Sequence, residues 1–264
     1  MRKEAVDLYQ KLTNEWNKKP QNFEKCLEYL TQLKIILSET GFIPTPGSPI
    51  DKREIHLARD VFEIGAQCSI AVGDIHGFER YISQLKTFYF DFQNEISESP
   101  FKYQLIGLNL LCLLARNRLS EFHTELELLN PHLIQTNIYI RHPVSLEQYL
   151  MEGSYNKVFL SKGNVPSPSY NYFMDILLKT IREEIASCME GAYKKILFRE
   201  AGHMLYFKKE EELVEFAKER KWVMASDNYF YFQQKQTDQE NQNIPSNELV
   251  MQMIEYAREL EIIV

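Results

Sequence analysis

Residues 222–232 read Trp-Val-Met-Ala-Ser-Asp-Asn-Tyr-Phe-Tyr-Phe, so two aromatic or β-branched runs stand on either side of a short polar turn. This pattern predicts a β-hairpin. Two helical patterns precede it, at residues 194–207 and 210–221, and each carries apolar side chains at helical spacing. Two helices followed by a two-stranded wing make a winged helix, a fold that binds either DNA or another protein.

The charge of this segment argues against a nucleic-acid partner. From residue 190 to residue 232, eight basic side chains are balanced by eight acidic ones, and residues 222–232 contain no Lys or Arg. The second helical pattern begins with Glu210, Glu211 and Glu212. Binding to DNA depends on Lys and Arg that neutralise phosphates, which these carboxylates would repel. We therefore expect protein–protein pairing, with a winged-helix nucleic-acid-binding protein as the alternative.

The composition excludes several further classes. The chain has 264 residues, 44% of them hydrophobic, which suffices for one large or two ordinary domains. Its net charge of -7 argues against a polyanionic partner. It contains only 10 glycines and neither a GxxxxGK[ST] nor a GxGxxG string, so we expect no nucleotide cofactor.

The cysteines and the chain start indicate the compartment. Cys26, Cys68, Cys112 and Cys188 lie far apart in apolar helical patterns without a CxxC pair, so we expect buried free thiols in a reducing environment. The first residues form an amphipathic pattern rather than a signal peptide, and the most apolar stretch, 105–115, is too short to cross a bilayer. The sequence thus predicts a protein of the cytoplasm and nucleus, without membrane contact.

The first 168 residues predict helix after helix. Ile64-Gly65-Ala66, Gly73-Asp74 and Phe78-Glu79 resemble Ile106-Gly107-Leu108, Arg116-Asn117 and Phe122-His123, and a partial third copy follows at 149–155. A recurring helix pair of this length predicts a TPR-like solenoid. Residues 169–232 would then form the winged-helix module with its leading helix, because a Pro-rich break ends at Pro168.

The end of the chain predicts a tethered helix. Residues 233–245 are almost wholly polar and should form a linker. The apolar residues of 246–264 then repeat at intervals of four and three, a heptad stripe that must dock against other helices. The stripe consists of Leu249, Met253, Tyr256, Leu260 and Ile263.

The sequence contains no catalytic constellation. Its six histidines show neither HxH nor HExxH spacing, and the cysteines lack a nearby activating partner. The paired carboxylates lie in polar helical stretches typical of solvated faces. We therefore predict that the chain is not an enzyme and has no catalytic residue, no cofactor and no metal ligand. The alternative, an enzyme, would be supported by catalytic activity that remains after extensive purification.

Residues 140–160 carry a specific resemblance. They read Ile-Arg-His-Pro-Val-Ser-Leu-Glu-Gln-Tyr-Leu-Met-Glu-Gly-Ser-Tyr-Asn-Lys-Val-Phe-Leu, and residues 58–67, 121–127 and 254–260 carry the same likeness. With these motifs the chain resembles the PCI-domain family, and within that family the non-ATPase subunits of the proteasome lid. The similarity extends over nearly the whole chain, and is weakest in the first twenty residues and in 233–245.

The resemblance implies a mainly α-helical, non-catalytic scaffold subunit of the 19S regulatory particle. Its partners would be other proteasome lid subunits, which join through neighbouring PCI wings and a C-terminal helical bundle to support degradation of ubiquitylated proteins. It implies no nucleotide and no deubiquitinating metal. The exposed edge of the hairpin and the terminal stripe supply the predicted interface. Its residues are Trp222, Val223, Tyr229, Tyr231, Leu249, Met253, Tyr256, Leu260 and Ile263.

Overall fold

A computed structural model describes residues 2–18, 22–39, 52–92, 97–207, 209–225, 227–232 and 246–262. The chain divides into two compact units, Met1–Glu183 and Glu184–Val264. The division falls after residue 183, whereas the sequence pattern placed the domain boundary at 168. The predicted linker, 233–245, lies outside the described residues.

The described part of the first unit is built from helices. In chain order they are α1 (Arg2–Asn17), α2 (Phe23–Glu39), α3 (Lys52–Val72), α4 (Ile75–Lys86), a π-helical turn (Thr87–Asp91), α5 (Lys102–Ala115), α6 (Leu119–Glu127), α7 (Pro131–Thr136), α8 (Ile138–Met151), α9 (Tyr155–Ser161) and α10 (Tyr170–Ala192). Most helices pack on their neighbours in the chain, while α5 also packs on α8. The second half of α5 is apolar all round, and its residues from Leu110 to Ala115 are all buried.

Three helices end in the same way. Gly73, Asn117 and Gly153 adopt left-handed φ angles of 86°, 57° and 69° at the ends of α3, α5 and α8. After each, the next amide reaches back to a carbonyl in the last helical turn, as in a Schellman motif. These bonds run from Asp74 N to Ser69 O (2.9 Å), from Arg118 N to Leu113 O (2.9 Å) and from Ser154 N to Tyr149 O (2.8 Å). The sequence pattern paired Gly73 with Arg116, but the backbone pairs Gly73 with Asn117, so the equivalent turn position lies one residue later in the second copy.

The repeated aromatic residues are also equivalent. Phe78 in α4 and Phe122 in α6 are fully buried, each on the helix that follows a Schellman turn. At Gly65 in α3 a Cβ would overlap the Tyr81 ring, and at Gly107 in α5 it would overlap the Tyr170 hydroxyl. The repeat therefore marks two similar helix pairs, α3–α4 and α5–α6. A TPR-like solenoid along the whole region stays a prediction.

The second unit combines helices with a small sheet. After the end of α10 come β1 (Lys195–Leu197), α11 (Phe198–Met204), α12 (Glu210–Glu219), β2 (Val223–Met224), β3 (Tyr229–Tyr231) and α13 (Ser246–Ile262). The strands are antiparallel in the order β1-β3-β2, so β3 is central. The predicted hairpin is confirmed, with Asn228 at a φ of 58° in its turn.

Two local predictions in this unit need correction. The helical pattern at 194–207 contains strand β1, because residues 195–197 pair with β3 and only Ile196 of β1 is buried. Pairing with a distant strand overrides the local helical period. The second helix ends at Glu219 rather than 221, because Lys221 adopts a φ of 59° and Trp222 N bonds to Ala217 O.

The core of this unit is largely aromatic. Phe230, at the centre of the sheet, is 1% exposed and packs against the rings of Phe198 and Trp222. Leu213, Phe216 and Ala217 supply the inward face of α12. Burial of each large apolar side chain stabilises the folded state by roughly 1.5–3 kcal/mol.

The cysteine prediction is partly wrong. Cys26, Cys68 and Cys112 are buried free thiols, but Cys188 is exposed. Near the end of α10 the inward positions are Ala186 and Met189, so the side chain at 188 lies on the other side of the helix. Burial raises the pKa of Cys68 to about 11 and that of Cys112 to about 12.

Candidate functional site: two exposed apolar surfaces

The sheet presents one exposed row across its strands. Lys195, Tyr231 and Val223 are register partners on neighbouring strands, and all three are exposed. The neighbouring row, formed by Ile196, Phe230 and Met224, begins in the core and ends with Met224, which is half exposed. The sheet thus has a core face and a solvent face, as the period of two in a strand requires.

Strand β2 is the accessible edge of the predicted wing. It pairs with β3 on one side, and no described strand pairs with its other side. Val223 and Met224, its two residues, are 52% and 50% exposed. An edge strand that carries apolar side chains and no charge is a site for strand addition by another chain. The predicted interface did not include Met224, although its position beside Val223 in the same short strand indicated that it would lie at the same edge.

The tyrosines of β3 lie on the central strand. Tyr231 is 38% exposed in the solvent-facing row. Tyr229 is half buried, and the ammonium group of Lys195 lies 5.0 Å from the centre of its ring. Strand β1 thus adds a cation beside residues that the sequence showed as an uncharged wing. An ammonium over an aromatic face is a weak attraction that orients the ring.

Trp222 lies in the core rather than on the predicted surface. It is 9% exposed, and its ring packs 5.0 Å from Phe232 and 5.9 Å from Phe216, between centroids. Its indole N–H donates to a carboxylate oxygen of Glu190 at 2.8 Å. This bond ties the start of β2 to the end of α10, so Trp222 positions the edge strand and is not itself available to a partner.

The second surface is helix α13, where every side chain of Ser246–Ile262 is exposed. The predicted stripe is solvent-facing, with Met253 at 74% and Tyr256 at 68% exposure. Ile263, the last predicted member, lies outside the described residues. Exposed apolar residues also occupy other sides of the helix, beyond the predicted interface set. They are Val250, Met251, Ile254 and Ile262.

Neither surface brings together groups suited to catalysis. Among the residues that the structure describes, no three His, Cys, Asp or Glu side chains are grouped to hold a metal ion. The helices in these residues include none with the length and hydropathy needed to cross a bilayer. What the two surfaces offer is apolar contact area and unpaired backbone groups, which is the chemistry of protein association.

One buried polar cluster lies apart from both surfaces, in the first unit. Glu63 is 4% exposed and accepts hydrogen bonds from Tyr89 at 2.7 Å and from Ser99 at 2.9 Å. Arg59 lies 3.8 Å from the same carboxylate and donates to the backbone of Ser97. Burial raises the pKa of Glu63 despite these partners. The neighbouring cavity, about 20 Å³, has room for one water, so the cluster ties α3 to the π-helical turn and to the residues before α5 rather than binding a substrate.

Comparisons with known proteins identify the family of the chain. The sequence profile described as the CSN8/PSMD8/EIF3K family matches residues 100–242, more than half of the chain. The chain is 40% identical over 248 residues to 26S proteasome non-ATPase regulatory subunit 8 homolog A of Arabidopsis thaliana, with 92% of each chain covered.

Two further relatives come from other kingdoms. The 26S proteasome non-ATPase regulatory subunit 8 of Caenorhabditis elegans is 36% identical, covering 94% of this chain and 96% of its own. The 26S proteasome regulatory subunit RPN12 of Saccharomyces cerevisiae is 32% identical, with 91% of each chain covered. Because these matches extend over nearly the full length of both partners, the chain belongs to the CSN8/PSMD8/EIF3K family and, within it, to the 26S proteasome non-ATPase regulatory subunit 8 proteins.

Proposed function

We propose that this chain is a non-catalytic scaffold subunit of the lid of the proteasome regulatory particle. Its helical repeats and PCI winged helix hold neighbouring lid subunits in place, in the cytoplasm and nucleus, and so support ATP-dependent degradation of ubiquitylated proteins. The subunit works as part of a hetero-oligomer and carries out no reaction of its own. The names of its relatives, all proteasome regulatory subunits, support this assignment.

The observation that carries the proposal is the exposure of α13. Leu249, Met253, Tyr256 and Leu260 form one apolar stripe, and the structure buries none of them. Burial of four such side chains by partner helices would contribute roughly 6–12 kcal/mol before the costs of association. An isolated helix of this length is marginal in water, so docking also stabilises the helix itself.

The exposed row and edge of the sheet supply a second contact. A neighbouring PCI wing that pairs with β2 would satisfy the open side of this strand and cover Val223 and Met224. Nucleic-acid binding is disfavoured at the same place, because α12 carries five Glu and only Lys218 as a basic residue. A phosphate backbone along this helix would meet like charge.

Deletion of residues 246–264 tests the first contact. The tagged variant should fold but should not co-purify with lid subunits or migrate with the regulatory particle. A sharper pair is Met253→Asp with Leu260→Asp, compared with Asn247→Asp and Arg258→Gln, which change the net charge by the same amount on the opposite side of the helix. Incorporation should be lost only in the first pair, and equal incorporation of both pairs would refute the role of the stripe.

Val223→Asp with Tyr231→Asp tests the sheet contact. Both residues are exposed, so the fold should persist, while recovery of neighbouring subunits should fall several-fold. Gln135→Asp with Asn171→Asp adds the same charge at exposed positions of the first unit and serves as the control. A gel shift of labelled nucleic acid that weakens with salt and requires Val223 and Tyr231 would instead favour the alternative, nucleic-acid binding.

A further inference from the structure

A groove runs beside helix α12 in the second unit. Its volume is about 840 Å³, and its apolar lining comes from Leu197, Phe198, Val214 and Met224. Three carboxylates of α12 line the same groove, those of Glu210, Glu211 and Glu215. We call this feature the α12 groove. Its volume equals about two turns of a helix 10 Å in diameter, so it is large enough for a peptide segment.

The lining of the α12 groove contains one more carboxylate than it contains cations. Glu211 and Glu215 stand one helical turn apart on the same face of α12, and both are exposed. Neither has an ion-pair partner in the part of the chain that the structure describes. Lys218 and Arg199 also line the groove, together with Glu210, so its formal charge is negative. The whole of α12 carries five Glu and a single Lys.

The residues that line the α12 groove determine which kind of segment can bind there. Carboxylates along the wall disfavour phosphates, nucleic acid and acidic peptides by like-charge repulsion. The half-buried Leu197, Phe198 and Val214 favour apolar side chains, whose burial removes their surface from water. One occupant satisfies both conditions: a segment with apolar residues on one side and Lys or Arg beside them.

We propose that the α12 groove docks a basic amphipathic segment of a partner protein. Its apolar side chains enter between α12 and the sheet, and its cations pair with Glu211 and Glu215. The groove is a third docking surface, separate from α13 and from the exposed row of Lys195, Tyr231 and Val223, and it shares only Met224 with the edge strand β2. Where a DNA-binding winged helix presents cations to phosphate, this chain presents carboxylates to a cationic peptide.

The full-length chain tests this proposal with a defined probe. The probe is a fluorescent peptide of about four helical turns, with Leu along one stripe and Arg along the adjacent face. Two companion peptides replace either every Arg with Glu or every Leu with Ser. Fluorescence polarisation should give binding at least roughly tenfold tighter for the probe than for either companion.

Variants then locate the site. Glu211→Lys with Glu215→Lys should weaken probe binding roughly tenfold, because two attractions become repulsions. The matched control is Glu212→Lys with Glu219→Lys, which changes the same charge on the same helix at exposed positions outside the groove lining. A second control, Glu255→Lys with Glu259→Lys, changes the same charge on α13. Both controls should bind the probe like the unmodified chain.

Three results would overturn the proposal. One is equal weakening by a control pair, which means general attraction to an acidic surface. Another is equal binding of all three peptides. The third is self-association of the chain, measured by sedimentation equilibrium, that Glu211→Lys with Glu215→Lys abolishes, because the occupant is then a second copy. Circular dichroism and thermal melting of each variant establish that the fold is retained.

Discussion

The hydroxyl of Tyr170 lies 3.2 Å from the backbone carbonyl oxygen of Tyr139 and donates to it. In a regular helix the amide four residues later would bond to that carbonyl, but position 143 of α8 is a proline without an N–H. The same hydroxyl lies 3.3 Å from the carbonyl oxygen of Gln104 in α5. Gly107 makes this approach feasible, because a Cβ there would overlap both the Tyr170 hydroxyl and the Tyr139 carbonyl.

We expect Tyr170→Phe to lower the free energy of unfolding by about 1–3 kcal/mol, because it leaves the Tyr139 carbonyl oxygen without a donor. Tyr172→Phe is the control. Its hydroxyl donates to Gly73 O at 2.9 Å, but the residue is half exposed, so water can replace the bond. Denaturant titration of both variants measures the difference. Equal losses would show that Tyr170 does not compensate for Pro143.

The buried carboxylate of Glu63 should make stability depend on pH. Burial raises its pKa in the folded chain above the value of about 4.3 for an unfolded Glu. Between these two pKa values the folded state holds more protons than the unfolded state. The contribution of Glu63 to the free energy of unfolding is therefore complete below the pKa of the unfolded state. It decreases as the pH rises through the pKa of the folded state.

Glu63→Gln removes the titrating group while keeping an acceptor for Tyr89. The free energy of unfolding of this variant, relative to the unmodified chain, should increase as the pH rises from about 4 to about 7. Urea titrations across this range measure the difference. A flat or falling curve for Glu63→Gln would contradict the role of burial.

The four cysteines should differ in reactivity. A thiolate is the reactive form, and burial raises the pKa of Cys26, Cys68 and Cys112. Cys188 alone among the four is exposed. In the native chain a thiol reagent should therefore modify a single cysteine rapidly, and Cys188→Ser should abolish this fast phase. Rapid modification of two or more thiols would mean that the helical core opens on the timescale of the reaction.

The neighbouring residues Trp222 and Val223 should respond differently to substitution. Trp222→Phe removes the indole donor to Glu190 from a packed aromatic cluster and should cost about 1–2 kcal/mol of unfolding free energy. Val223→Thr keeps a β-branched side chain at an exposed strand position and should change stability by less than about 0.5 kcal/mol. Thermal or urea unfolding compares the two, and similar losses would place Val223 in the core as well.

Much of the fold could be read from local patterns. The period of α13, the two runs around residues 226–228 and the repeated turn positions Gly73 and Asn117 are signals within short windows. They depend on side-chain spacing and backbone preference, which do not need the rest of the chain. The resemblance carried by residues 140–160 is likewise a property of the sequence, and the full-length relatives confirm it.

The sequence by itself determined the helical class, the hairpin, the acidic character of α12 and the apolar stripe at the end of the chain. Tertiary structure decided that residues 195–197 are a strand, because β3 lies more than thirty residues further along the chain and only folding brings them together. It also decided that Trp222 is buried while Val223 is exposed. The alternation of side chains along a strand predicts that Trp222 and Val223 face opposite sides. Which of the two is buried depends on the packing of the sheet, α10 and α12 around them.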